Sequence, residues 1–162
     1  MTTQSESEVA RQAPRPQGAA APATVAEPAR RGHIARVIFV VLASLFAACV
    51  VAQVFIAGMA VFVNPLNWRW HTTFIHVFEF LPLLMLIISF VGRLPAAQRW
   101  QCAALIALIY AQYFTANVAT VLPFAAALHP VNALVIFWLS ALLLSRAWRY
   151  TFRARHQPSA IA

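Results

Sequence analysis

Apolar residues gather in four long stretches, residues 36–63, 74–92, 102–122 and 131–148, and almost all of the arginine lies in the segments on one side of them. A helix needs about 20 apolar residues to cross the hydrocarbon core of a bilayer, and all four stretches reach that length or come close. Lipid offers no hydrogen-bond partner to a free backbone group, so the crossing must be helical or a closed barrel. The apolarity is continuous rather than alternating, which excludes the barrel. The expected fold is therefore an all-α membrane protein, an up-down bundle of four transmembrane helices joined by short loops. At 162 residues, 62% apolar and 10% charged, the chain is too hydrophobic for a soluble domain and too short for a second bundle.

The charge has a topological explanation. Eleven of the twelve arginines fall at or before the start of the first stretch (Arg11, Arg15, Arg30, Arg31, Arg36), between the second and third (Arg93, Arg99), or after the fourth (Arg146, Arg149, Arg153, Arg155), and only Arg69 lies on the other side. Short basic loops stay cytoplasmic, so both termini are expected in the cytoplasm, with the loops around residues 64–70 and 123–130 outside. A net charge of +8 then gives no reason to expect nucleic acid, and the partner it implies is the lipid bilayer. Attraction to anionic headgroups is worth about 1 kcal/mol per arginine near the surface.

Three segments follow. Residues 1–33, rich in Ala, Pro, Gln, Ser and Arg, have no apolar periodicity and are expected to form a disordered cytoplasmic tail. Residues 34–150 form the four-helix domain, and residues 151–162 a basic cytoplasmic tail. The first apolar run is far longer than the core of a cleavable signal and is expected to be retained. Pro82 sits inside the second stretch, where it removes one backbone hydrogen bond and should bend the helix. Cys49 and Cys102 fall within or near membrane spans, so no disulfide is expected.

The first and third stretches share a faint repeat, AQVFIAGMAVF against AQYFTANVATV, with Gln53 and Gln112 in matching places. Each glutamine is followed across an outer loop by a histidine, His71 eighteen residues after Gln53 and His129 seventeen after Gln112. Two hairpins of similar design would meet around an axis along the membrane normal, and sites form at such interfaces. His71, His76 and Glu79 span an arc of about 140° on one helix, and Glu79 at membrane depth must be protonated, paired or hydrated. His76 is its nearest helical partner.

Two neutral imidazoles on different helices can clamp a metal, as in haem held by two histidines. Counting back from Arg93 and Arg146 puts His76 and His129 at one depth, whereas the glutamine spacing selects His71 as the partner of His129. Both pairings stand at this level, and the candidate ligands are His129, His76 and His71. A simpler reading also stands: histidines at helix ends are hydrated interfacial residues, and Gln53 and Gln112 are interhelical packing contacts. Gly58 with Ala57 and Ala60 allows close helix approach, and Asn132 serves the start of the fourth helix.

AQVFIAGMAVF, the WRWH of Trp68 to His71, GRLP at Gly92 to Pro95 and ALHPVNAL at Ala127 to Leu134 together resemble a family of small bacterial four-helix membrane proteins of unknown function, over about residues 40–148. That resemblance implies the bacterial cytoplasmic membrane. More distantly, the order glutamine helix, histidine helix, glutamine helix, histidine helix is similar to one half of haem A synthase. The likeness implies haem ligands at His71 and His129. Ile75 stands where a glycine often follows the histidine, and Thr72 replaces the usual arginine, leaving Arg69 as the nearest cation.

Three functions follow from these readings. One is haem b binding between the second and fourth helices near the outer face. Another is a non-catalytic membrane subunit or scaffold packing on a partner protein or a second copy. A third is a proton-linked carrier built on Glu79 and His76, for which four helices make a thin pathway. No nucleophile beside a base, phosphate-binding loop or Cys/His cluster occurs, and the chain is not expected to be an enzyme.

Overall fold

A computed structural model describes residues 26–153; most of the N-terminal tail and the last nine residues lie outside the described residues. Helix α1 spans Ala26–Phe62. A 3-10 turn at Pro65–Asn67 leads into α2, Trp68–Phe78, and then α3, Leu81–Val91. Helix α4 spans Ala96–Asn117, a short α5 covers Pro123–Ala126, and α6 spans Leu128–Phe152. No strand occurs among the described residues.

Helix α1 packs against α2, α3 and α6, and α4 packs against α3 and α6. The four limbs α1, α2 with α3, α4, and α6 thus form a ring in chain order, as short connections require of antiparallel neighbours. Three of them are long and apolar enough to cross a membrane, residues Ala29–Phe62, Pro65–Val91 and Pro123–Phe152. Helix α4 falls short of that apolarity because Gln98, Arg99, Gln101, Gln112 and Asn117 interrupt it.

Element boundaries differ from the sequence expectation for local reasons. Helix α1 begins ten residues before Arg36, inside the segment expected to be tail: Ala29, Arg30, Arg31 and Ala35 are strong helix formers, and extending a helix costs far less than nucleating one. The second limb starts at Trp68 rather than Phe74, after Asn64 Oδ1 accepts the Leu66 N–H at 2.9 Å and shapes the turn. That limb is broken at Glu79 and Phe80, because Pro82 lacks the N–H that would reach the Phe78 carbonyl. The interruption falls just before Pro82, which occupies the first turn of α3, where it is tolerated. Helix α6 begins at Leu128, before Pro130, which sits in a first turn whose N–H groups have no intrahelical partner.

The turn between α3 and α4 is closed by its own carbonyls. Leu94 N–H donates to Ser89 O at 2.9 Å and Arg93 N–H to Phe90 O at 3.2 Å, the paired bonds of a Schellman ending. The left-handed residue is Arg93, at φ 51°, not the preceding Gly92. Arg36 Nε donates to Gly92 O at 2.9 Å and its guanidinium lies over the Tyr150 ring, 5.1 Å from the centroid. One arginine thus joins α1, the α3 end and α6.

Inside the ring, Phe39, Phe46, Met85, Leu105 and Leu143 are fully buried. Phe46 meets Phe78 edge to face at 5.9 Å between centroids. Outside it, Val54, Phe55, Ile87, Phe90, Leu134 and Trp138 are exposed. A surface this apolar on every side is what lipid, and not water, accepts.

Candidate functional site

At the end of the bundle away from Arg93 and Arg146, the two glutamine–histidine pairs adopt one arrangement. Gln53 Nε2 donates to the His71 carbonyl at 2.8 Å, and His71 Nδ1 lies 3.2 Å from the Gln53 carbonyl. A carbonyl only accepts, so Nδ1 carries the proton and in the neutral ring Nε2 keeps the lone pair. In the second hairpin His129 Nδ1 lies 3.2 Å from the Gln112 carbonyl and 3.1 Å from Thr115 Oγ1. The Thr115 hydroxyl is within reach of the Ala111 carbonyl at 2.9 Å and the Gln112 carbonyl at 3.0 Å, so it gives its proton there and accepts from His129. Both rings are held in the same tautomer by the same backbone group of the equivalent glutamine.

The His71 and His129 rings stand 6.5 Å apart between centroids, tilted by 54°. Neither Nε2 has a hydrogen-bond partner among the described residues. Trp68 covers His71 edge-on at 5.3 Å. Metal–imidazole bonds of about 2.0 Å, with roughly 1.1 Å from nitrogen to ring centre on each side, require about 6 Å between centroids. The centroid spacing is therefore of the length that one metal ion between two imidazoles requires, and a backbone carbonyl orients each ring through its Nδ1.

His76 goes elsewhere. At about 100° per residue it leaves the helix some 140° from His71, and its side chain is 62% exposed. Its Nδ1 is 3.1 Å from Glu79 Oε1 and 3.1 Å from the Tyr113 hydroxyl, and its ring stacks on Tyr113 at 5.9 Å. The Tyr113 hydroxyl donates to Glu79 Oε2. The depth count that selected His76 took no account of direction around the helix, which turns its ring toward Glu79 and Tyr113. Glu79 is paired with His76, as expected from its place three residues on, but its second partner, Tyr113, was not foreseen. In the repeat Tyr113 stands opposite Val54, and the departure falls where the neighbouring limb carries a carboxylate.

Asn132 also acts differently from its expected role at the start of α6. Its Nδ2 donates to the Leu108 carbonyl at 2.9 Å and to Gln112 Oε1 at 3.1 Å, tying α6 to α4. The two glutamines thus share backbone roles but differ in their side chains: Gln53 reaches the histidine backbone, and Gln112 receives an asparagine. No group of three or more His, Cys, Asp or Glu side chains converges among the described residues. A centre here would draw its protein ligands from the histidine pair alone.

A family model described as "Family of unknown function (DUF6220)" matches residues 53–121. The match begins at Gln53, takes in His71, Glu79, Gln112 and Tyr113, and ends before His129. No curated protein and no solved structure matches the chain.

Proposed function

We propose that this chain is a four-span protein of the bacterial cytoplasmic membrane, with its arginine-rich end and both termini cytoplasmic, that holds haem b between His71 and His129 near the outer face. Three apolar limbs support membrane residence. Helix α4, with 22 residues, is about 33 Å long, enough for a core of about 30 Å. It packs between α3 and α6, so Gln112 and Thr115 meet protein partners and not lipid. The single charge asymmetry of eleven arginines against one supports the orientation.

The observation that carries the haem reading is the 6.5 Å pairing of two rings whose Nδ1 atoms are both engaged by backbone carbonyls. Held so, His71 and His129 offer Nε2 lone pairs and cannot rotate away without breaking those bonds. Arg69, exposed at the same end and without a side-chain partner among the described residues, is the cation available to a propionate. Haem held by His71 and His129 would supply one-electron transfer. His76, Glu79 and Tyr113 satisfy one another and take no part in holding it.

The test is visible absorbance of protein purified in mild detergent after expression with ample haem. A stoichiometric Soret band that persists in His76→Ala and is lost or shifted in both His71→Ala and His129→Ala supports the proposal; a colourless protein refutes it. A second reading, a non-catalytic membrane subunit, draws on the same bonds: each glutamine–histidine pair closes a hairpin and would keep the bundle in shape for a partner or a second copy. Under that reading the purified chain is colourless and copurifies with a stoichiometric partner in a form indifferent to His129→Ala.

A further inference from the structure

The opposite end of the bundle carries a second, separate site. An open cleft of about 740 Å³ lies between the start of α4 and the end of α6, lined by Pro95, Gln98, Arg146, Arg149, Tyr150 and Arg153. Its volume falls within the range of about 300–1,000 Å³ common for ligand clefts. Arg146, Arg149 and Arg153 follow one another at three- and four-residue spacing and so share a helix face. None of them has an acidic partner among the described residues, where the carboxylate of Glu79 pairs with His76.

One further feature adds to the positive field. Helix α4 starts at this cleft, and its N-cap, Pro95, offers no side-chain cap. A helix of 22 residues that begins with uncapped N–H groups presents partial positive charge and donors there.

We infer that this cleft binds the headgroup of an anionic glycerophospholipid, with its phosphodiester among Arg146, Arg149 and Arg153 at the α4 N-terminus. The height suits a lipid. Arg146 lies seventeen residues along α6 from His129, about 25 Å of helix, which puts the cleft at the headgroup layer when the spans are in the membrane. On the other side of α6, Arg149 and Arg153 also line a smaller cleft with Trp148 and Ser44, and a tryptophan there is in the interfacial zone that such residues favour. Lipid chains then lie along the apolar outer faces of α4 and α6. This inference does not depend on haem.

Native mass spectrometry of the full chain in detergent, titrated with defined lipids, tests it. Phosphatidylglycerol is expected to bind at least tenfold more tightly than phosphatidylcholine. The Arg149→Gln/Arg153→Gln double variant should lose that preference, whereas Arg93→Gln, which removes a charge from the same end but outside the cleft, should keep it. Helical circular dichroism of each variant matching the parent chain ensures that loss of binding is not loss of fold. Equal retention of phosphatidylglycerol and phosphatidylcholine overturns the proposal, as does an equal loss in Arg93→Gln. Inorganic phosphate or glycerol 3-phosphate displacing the lipid at micromolar concentration overturns it in favour of a soluble phosphate ligand.

Discussion

Phe46→Ala distinguishes a packed bundle interior from a lipid-facing surface. The Phe46 ring is fully buried and meets Phe78 edge to face. In water, Phe→Ala in a core costs about 3–5 kcal/mol, which combines lost transfer energy with the cavity left behind. In a membrane the transfer part largely cancels, because lipid tails are as apolar as the protein interior. The cavity part remains: removing roughly 100 Å³ at about 24 cal/mol per Å³ gives about 2.4 kcal/mol. Loss of the aromatic pair adds about 0.5–1.5 kcal/mol, for an expected destabilisation near 3 kcal/mol. Reversible unfolding in mixed micelles, followed by circular dichroism, measures it. Phe55→Ala, at a position 67% exposed, is the matched control and should change stability by less than about 0.5 kcal/mol. A loss below about 1 kcal/mol for Phe46→Ala, or equal losses at the two positions, would refute the packing described.

Other expectations are narrower. Arg93→Gly should stabilise the bundle by about 1 kcal/mol, because Arg93 holds a left-handed conformation that glycine adopts without the steric penalty; the same unfolding assay, showing a loss instead, would contradict the turn. A double-mutant cycle of Gln112→Ala with Asn132→Ala should give a coupling of about 0.6 kcal/mol and no more than about 1.7, whereas a value of zero would break the link between α4 and α6. Thiol labelling in a background lacking Cys49 and Cys102 should find a cysteine at Asn64 or Thr120 reactive from outside the cell and one at Ala97 protected. The opposite pattern would invert the topology.

Much of the architecture was legible because bilayer physics leaves few choices. Length and apolarity marked the four limbs, and Pro82 marked the break between α2 and α3. What sequence misjudged came from local continuity: the helical propensity of residues 29–35 carried α1 ten residues before Arg36, and the polar residues of α4 lowered its apolarity without shortening it. Within the site, the equal spacing from Gln53 to His71 and from Gln112 to His129 was the informative signal, since it reflects hairpins closed by the same backbone bond. The depth count favouring His76 held no information about direction around the helix, and His76, about 140° from His71, turns toward Glu79 and Tyr113. Tyr113 and Asn132 were unforeseen as partners because each contact joins different limbs, and one sequence carries no pairing information beyond its own periodicity.

The central claim is that the rings of His71 and His129 form one ligand pair. Electron paramagnetic resonance of the purified, haem-loaded chain tests it most directly. A low-spin six-coordinate ferric signal is expected in the parent chain and in His76→Ala, converted to a high-spin signal by either His71→Ala or His129→Ala. A low-spin signal that survives both His71→Ala and His129→Ala, or that is lost in His76→Ala, would contradict it.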